Sequence, residues 1–271
     1  MKRVVVSGSF DDLRSNHVRF LEESSRLGDL HVLLWSDETV QSVEWKAPHF
    51  PQAERQYLVE AIRYVQEVTL VRGKFDPNTL PHLDAIRPDI WVTCEMRDTA
   101  AKQAFCQSHG LECRVLTNKN LAGFPEAKPE PSAPGRKKVI VTGCYDWFHS
   151  GHVRFFEEVS QLGDLYVVVG HDDNIRLLKG EGHPLLTQDE RRYMVGAVRY
   201  VKQALISTGH GWMDAEPEFD KIKPDMYAVN EDGDVPEKRE FCQKHGLQYV
   251  VLKRTPKEGL TKRSSTSLRG F

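Results

Sequence analysis

The chain has 271 residues and a formal net charge of −2, long enough for two domains and too balanced in charge for a dominant role on nucleic acid or a membrane surface. No apolar run approaches the roughly 20 residues a spanning helix needs, and the sequence opens on a strand pattern rather than a leader, which predicts a cytoplasmic protein. Cys94, Cys106, Cys113, Cys144 and Cys242 form no CxxC pair and are odd in number, as expected of reduced thiols with no zinc site.

The first strand pattern is Val4-Val-Val-Ser-Gly8, a β-branched run closed by glycine and followed by Asp11. Arg14-Ser-Asn-His17 leads into Val18-Arg-Phe20, and Leu27-Gly-Asp29 ends that segment. Further on come Glu54-Arg55-Gln-Tyr57, Ala61–Val65, Arg87-Pro-Asp89 and Phe105-Cys-Gln107. Residues 123–136 are rich in proline and polar groups, a composition expected to make a stiff, extended linker between domains at 1–122 and 137–271.

Every block before the linker recurs after it. Val139-Ile-Val-Thr-Gly143 with Asp146, His152-Val-Arg-Phe155, Leu162-Gly-Asp164, Glu190-Arg191-Arg-Tyr193, Lys223-Pro-Asp225 and Phe241-Cys-Gln243 repeat the first set at a spacing of about 135 residues. That period is too long for a solenoid and fits two tandem domains. In the second copy the pattern predicts strands near 138–143, 165–170, 203–207, 225–229 and 248–252. Helices are expected near 151–162, 188–200, 215–222 and 235–245. Alternating strands and helices imply an open, mostly parallel sheet covered by helices.

His149-Ser-Gly-His152 falls in the first strand-to-helix turn of this second copy. Ligands in such folds sit at the carboxyl ends of the strands, and a helix N-terminus there favours an anion. Two imidazoles so placed can both face one phosphate. Lys179, with glycines at 180 and 182 beside it, reads as a point charge on a flexible arm able to reach a phosphate.

The second copy resembles the cytidylyltransferase-like nucleotidyltransferases. The resemblance rests on four ordered blocks: Gly143–His152, Arg176–Pro184, Gln188–Arg191 and Ser264–Ser267. It implies two tandem Rossmann-like α/β domains and transfer of a nucleotidyl group from a triphosphate to a small phosphorylated alcohol, amine or sugar. CTP is favoured as donor over ATP, with Mg²⁺ bound mainly through the nucleotide phosphates. His149, His152 and Lys179 would be catalytic. Gly143, Tyr145, Gly151, Arg191, Asn230, Asp232, Arg263, Ser265, Thr266 and Ser267 would bind the nucleotide. Asp146 would help hold Mg²⁺ or fix the histidine turn through backbone amides, and Arg191 has a structural ion pair as its rival reading. The terminal block departs from the family pattern, with Arg263 and Ser264 where a glycine and an apolar residue are usual.

In the first copy Arg14-Ser-Asn-His17 replaces the paired histidines, counting back from Pro48 puts Val43 at the place of Lys179, and no Ser-Thr run follows. The first domain is therefore expected to be catalytically silent. The two halves are expected to pack as a pseudo-dimer, with a homo-oligomer left open. The alternative readings are an ATP-using adenylyltransferase and a non-catalytic nucleotide-binding regulator.

Overall fold

The computed structural model describes residues 1–126, 131–265 and 268. The chain divides into two compact units, Met1–Gly123 and Phe124–Phe271. The first runs β1 (Arg3–Gly8), α1 (Ser15–Ser25), β2 (Asp29–Trp35), α2 (Asp37–Glu44), α3 (Gln52–Glu60), β3 (Glu67–Val71), α4 (Leu83–Ile86), β4 (Ile90–Cys94), α5 (Ala100–Ser108) and β5 (Glu112–Leu116). The second repeats it as β6 (Lys138–Gly143), α6 (Ser150–Ser160), β7 (Asp164–Val169), α7 (Asp172–Lys179), α8 (Gln188–Gly196), β8 (Val201–Ile206), α9 (Glu216–Ile222), β9 (Met226–Asn230), α10 (Pro236–His245) and β10 (Gln248–Leu252).

The sheets are ordered β3-β2-β1-β4-β5 and β10-β9-β6-β7-β8, one arrangement used twice. All pairings are parallel. The two copies share their register as well, with Arg3 opposite Asp29 and Lys138 opposite Asp164. These are two tandem Rossmann-like α/β domains. Central strands covered on both faces read as unbroken apolar runs, and Val4–Val6 and Val139–Val141 are fully buried. One core forms around Leu33 and Trp91, another around Ile140, Phe219 and Tyr227.

Three local features depart from the sequence reading. Helix α7 occupies a stretch to which the sequence pattern assigns no element. His171 caps it, its Nδ1 accepting from the Asn174 amide at 3.2 Å, and Asp172 and Asp173 sit in its first turn. Helix α8 ends at Gly196 because Val201 already pairs with Leu165 in β8, so the chain must turn in between. The described part of the proline-rich stretch lies on the second unit. There Phe124 tilts against Tyr193 with ring centroids 5.7 Å apart, and Arg192 donates to the Phe124 carbonyl at 2.9 Å. Among the described residues no helix is long and apolar enough to cross a membrane.

Candidate active site

In each sheet the strand order reverses beside the first strand, which opens a crevice at the carboxyl ends of that strand and its neighbour. In the second unit those ends are Gly143 and Asn230. The chain leaves β6 through Tyr145 in the left-handed region (φ 55°), and its ring folds back over Gly143. A Cβ on Gly143 would lie 2.8 Å from that ring, so glycine is required there. Tyr145 is buried and meets His152 edge-on at 5.2 Å. It therefore backs the histidine, which corrects the expectation that it contacts nucleotide.

His149 is the N-cap of α6, its Nδ1 accepting from the Gly151 amide at 3.1 Å. That bond fixes the tautomer of the neutral ring, leaving the proton on Nε2. A Cβ at Gly151 would come within 2.9 Å of the same ring, so the glycine exists to let the imidazole lie over the helix end. His152, one turn on, stacks on His149 at 3.9 Å, and Phe148 stacks on His152 at 5.7 Å. Nε2 of His149 and Nδ1 of His152 are buried with no hydrogen-bond partner among the described residues. Such orphaned groups cost about 1–3 kcal/mol each and are rare in native structures. Here two of them adjoin one helix N-terminus, whose dipole favours an anion.

Burial pushes the His149 imidazole down to about 4, with the Arg254 and Arg263 guanidiniums adding to the push. Burial also drives His152 well below its ordinary value, followed by His149, Arg254 and Lys179. Both rings are thus neutral near pH 7, within a field of cations. Lys179 reaches this field from an exposed position at the last residue of α7, not from a loop. Arg254 was not singled out from the sequence, where it is one arginine in a polar stretch after an apolar strand. Its position two residues beyond β10 was the available signal. It donates to Asp232 and, at 3.1 Å, to the Arg263 carbonyl, while its amide donates to Glu231 at 3.2 Å. Asp232 therefore holds Arg254 rather than facing a nucleotide alone. Asn230, Gly151, Arg254 and Arg263 line one crevice.

The terminal block reaches the site in its described part. The Arg263 carbonyl lies 3.6 Å from the Cβ position of Gly151, and the Ser265 hydroxyl donates to the Trp147 carbonyl at 3.5 Å. Thr266 and Ser267 lie outside the described residues, so their expected contact with the triphosphate has no geometry here.

Two expectations are corrected. Arg191 is fully buried and donates to the carbonyls of Leu186, Cys144 and Gly170 and to Asp172 Oδ1, at 2.7–3.0 Å. Its guanidinium ties strand ends to α7 and, fully buried, commits four of its N–H donors to that scaffold. Asp146 accepts from the Leu185 and Leu186 amides at 2.9 Å, which fastens the 183–186 loop rather than the histidine turn. Its carboxylate is committed to backbone, and the described residues contain no His, Cys, Asp and Glu cluster fit for a metal. The side chains present do not fit a protein-held Mg²⁺.

The first unit carries the same scaffold with a different site. Arg55 donates to the Phe50 and Ser9 carbonyls and to Asp37, as Arg191 does to its counterparts. Asp11 accepts from the His49 and Phe50 amides. Arg14 replaces His149, and its amide donates to His17 Nδ1 at 3.2 Å, so the equivalent of the orphaned His152 nitrogen is satisfied. Because α2 and α7 are matching eight-residue helices, the counterpart of Lys179 is Glu44 and not Val43.

A parallel α/β domain that sets paired neutral imidazoles and several cations around a helix N-terminus at its switch point is a phosphate-handling nucleotide enzyme. The chain belongs to the cytidylyltransferase-like family, whose model matches residues 5–95 and 140–270, and it is a nucleotidyltransferase. It is similar to the FAD synthase of Ferroglobus placidus, 36% identical over 125 residues that cover 45% of this chain and 78% of that one. It is also similar to the bifunctional protein HldE of Campylobacter concisus, 35% identical over 114 residues, 41% of this chain and 24% of the relative. A crystal structure of the lipopolysaccharide core biosynthesis protein from Thermoplasma volcanium aligns over 46% of this chain and all of its own, at 25% identity and a TM-score of 0.39.

Proposed function

We propose that residues 137–271 transfer a nucleotidyl group from a nucleoside triphosphate to a small phosphomonoester. The observation that carries this reading is the pair of stacked imidazoles with buried, unpartnered nitrogens at the N-terminus of α6. A phosphomonoester oxygen attacks the α-phosphorus, a new P–O bond forms, and the bridging bond to the β-phosphate breaks. Pyrophosphate leaves with the electron pair. The nucleophile is already an anion, so no general base is needed. Neutral rings that donate hydrogen bonds to the charged transition state suit this chemistry.

In this reading His149 Nε2–H and His152 hold the α-phosphate as charge gathers on its oxygens. Arg254, Arg263 and Lys179 counter the charge of the β- and γ-phosphates, with Arg254 braced by Asp232. Mg²⁺ arrives on the triphosphate, since Asp146 is committed to backbone amides. The first unit, without the histidine pair, does not turn over.

ATP is the proposed donor. A relative named FAD synthase supports it, because FAD is an adenylate joined through a phosphoanhydride to a flavin phosphate. CTP is the second reading, carried by the Gly-Cys-Tyr-Asp wording of residues 143–146 and the tandem layout. Pyrophosphate release measured with ATP and with CTP tests both, against FMN, glycerol 3-phosphate, phosphoethanolamine and sugar phosphates as acceptors. Release that depends on an acceptor and disappears in His152→Ala is the expected result. Triphosphate binding with no release under any pairing overturns the proposal in favour of a nucleotide-binding regulator.

A further inference from the structure

The unit that lost the histidine pair encloses a cavity of about 570 Å³ at the carboxyl ends of β1 and β4. That volume lies within the ~300–1,000 Å³ typical of small-molecule pockets. Its walls include Phe10, Phe20 and Trp91, and its polar groups include His17, Arg97 and Lys102. A second lobe of about 360 Å³ shares Ser7, Trp91, Arg97 and Lys102 with the first and extends it towards Trp35 and Glu44.

The chemistry of these walls differs from that of the catalytic crevice in a directed way. Lys102 sends its ammonium over the Trp91 ring at 4.9 Å, anchored by the Arg97 carbonyl at 2.7 Å and the Thr93 hydroxyl at 3.3 Å. Arg97 stands where the second unit has Gly233, and Asn118 stands where it has Arg254. Glu44, in the place of Lys179, accepts from the Ser9 hydroxyl at 2.7 Å and lies 4.0 Å from Arg97. Two cations and one carboxylate leave a net charge of about +1, against a triphosphate of roughly −4. A negative side chain now guards the end where Lys179 serves the phosphates. His17 accepts the Arg14 amide on Nδ1, so its neutral ring presents an Nε2–H donor. Burial, then Arg97, keeps that ring below its ordinary value.

We propose that the N-terminal unit is a binding site for a small planar-ring compound bearing a single acidic group, and not for a triphosphate. The ring lies among Phe10, Phe20 and Trp91, and the acid group meets Lys102 and Arg97. A mononucleotide and an aromatic carboxylate share this chemistry, and titration separates them.

Isothermal titration of the full chain uses AMP, CMP and nicotinate as probes, with ATP and CTP alongside. Three variants are compared. Arg97→Glu reverses a half-exposed charge, Leu121→Trp fills the cavity from its rim, and His152→Ala weakens the catalytic half. At least one single-acid probe is expected to bind below about 1 mM, with its Kd raised about ten-fold or more in the first two variants and unchanged in the third. Agreement between Arg97→Glu and Leu121→Trp guards against misfolding of either. The proposal is overturned if no single-acid probe binds in that range, or if His152→Ala removes the binding while the other two keep it. It is equally overturned if, in His152→Ala, ATP or CTP occupies the first unit as tightly as the best single-acid probe.

Discussion

Replacing His149 with asparagine separates the titrating ring from its capping bond. Asparagine is a good N-cap, and its side-chain oxygen can take the Gly151 amide that Nδ1 now accepts, so the helix start survives. What disappears is a buried imidazole that titrates at about 4 in the folded protein and near 6.5 when unfolded. Between those values the unfolded chain binds the proton and the folded one does not, so stability falls as pH falls through that window and levels off below it. At ~1.4 kcal/mol per pH unit the full loss is about 3 kcal/mol, of which about 2 kcal/mol has gone by about pH 5. The ring is nearly solvent-free, so little is screened away. Urea unfolding at about pH 7.5 and about pH 5 should show the native protein losing about 2 kcal/mol more than His149→Asn. Added pyrophosphate should shrink that difference, because an anion at Nε2 favours the protonated ring. Parallel losses in the two proteins would refute the account of His149 as a neutral, desolvated donor.

Gly151→Ala should cut kcat/KM by roughly 100-fold with a near-native melting temperature, since the new methyl displaces the His149 ring. Asn16→Ala at the matching position should leave turnover unchanged. Arg191→Lys should lower stability by about 3 kcal/mol in denaturant titrations, because one ammonium cannot satisfy three carbonyls and Asp172. Its KM for triphosphate should move little in the fraction that folds. Arg254→Ala should lower kcat/KM by about 10²–10³ in steady-state assays, and Asp232→Asn by less, since Asp232 acts through Arg254.

Much of the fold was legible because its signals are local. Central strands such as Val139–Val141 carry long apolar runs, and a glycine closes each copy of the first strand. Helix α7 was missed because it spans only eight residues and opens on Asp172-Asp-Asn, residue types that equally suit a turn. Without that helix as a guide, counting back from Pro48 pairs Lys179 with Val43 instead of Glu44. The histidine turn was readable from four consecutive residues. Arg254 was not, since its role depends on β9 lying beside β6, which brings the end of β10 to the histidine turn, a neighbour relation that sequence order does not give.

The duplication itself separates scaffold from chemistry. Arg55 persists, with Arg191's hydrogen-bonding pattern, in the half where Arg14 and Asn16 have replaced His149 and Gly151. A residue kept where the phosphate ligands are gone serves the fold. The same holds for Asp11 and Asp146, each fastening the loop before the next helix through two backbone amides. The two residues that changed together tell the converse. Gly151 is needed only because the His149 ring folds over it, and once arginine stands at the cap a Cβ costs nothing, so Asn16 fits. Arg191 could therefore have been assigned to the scaffold from the sequence alone, by asking which blocks outlived the histidine pair. By the same reasoning Glu44, Arg97 and Asn118 are changes around a cavity that stayed open, and they mark the first unit as a site with altered charge.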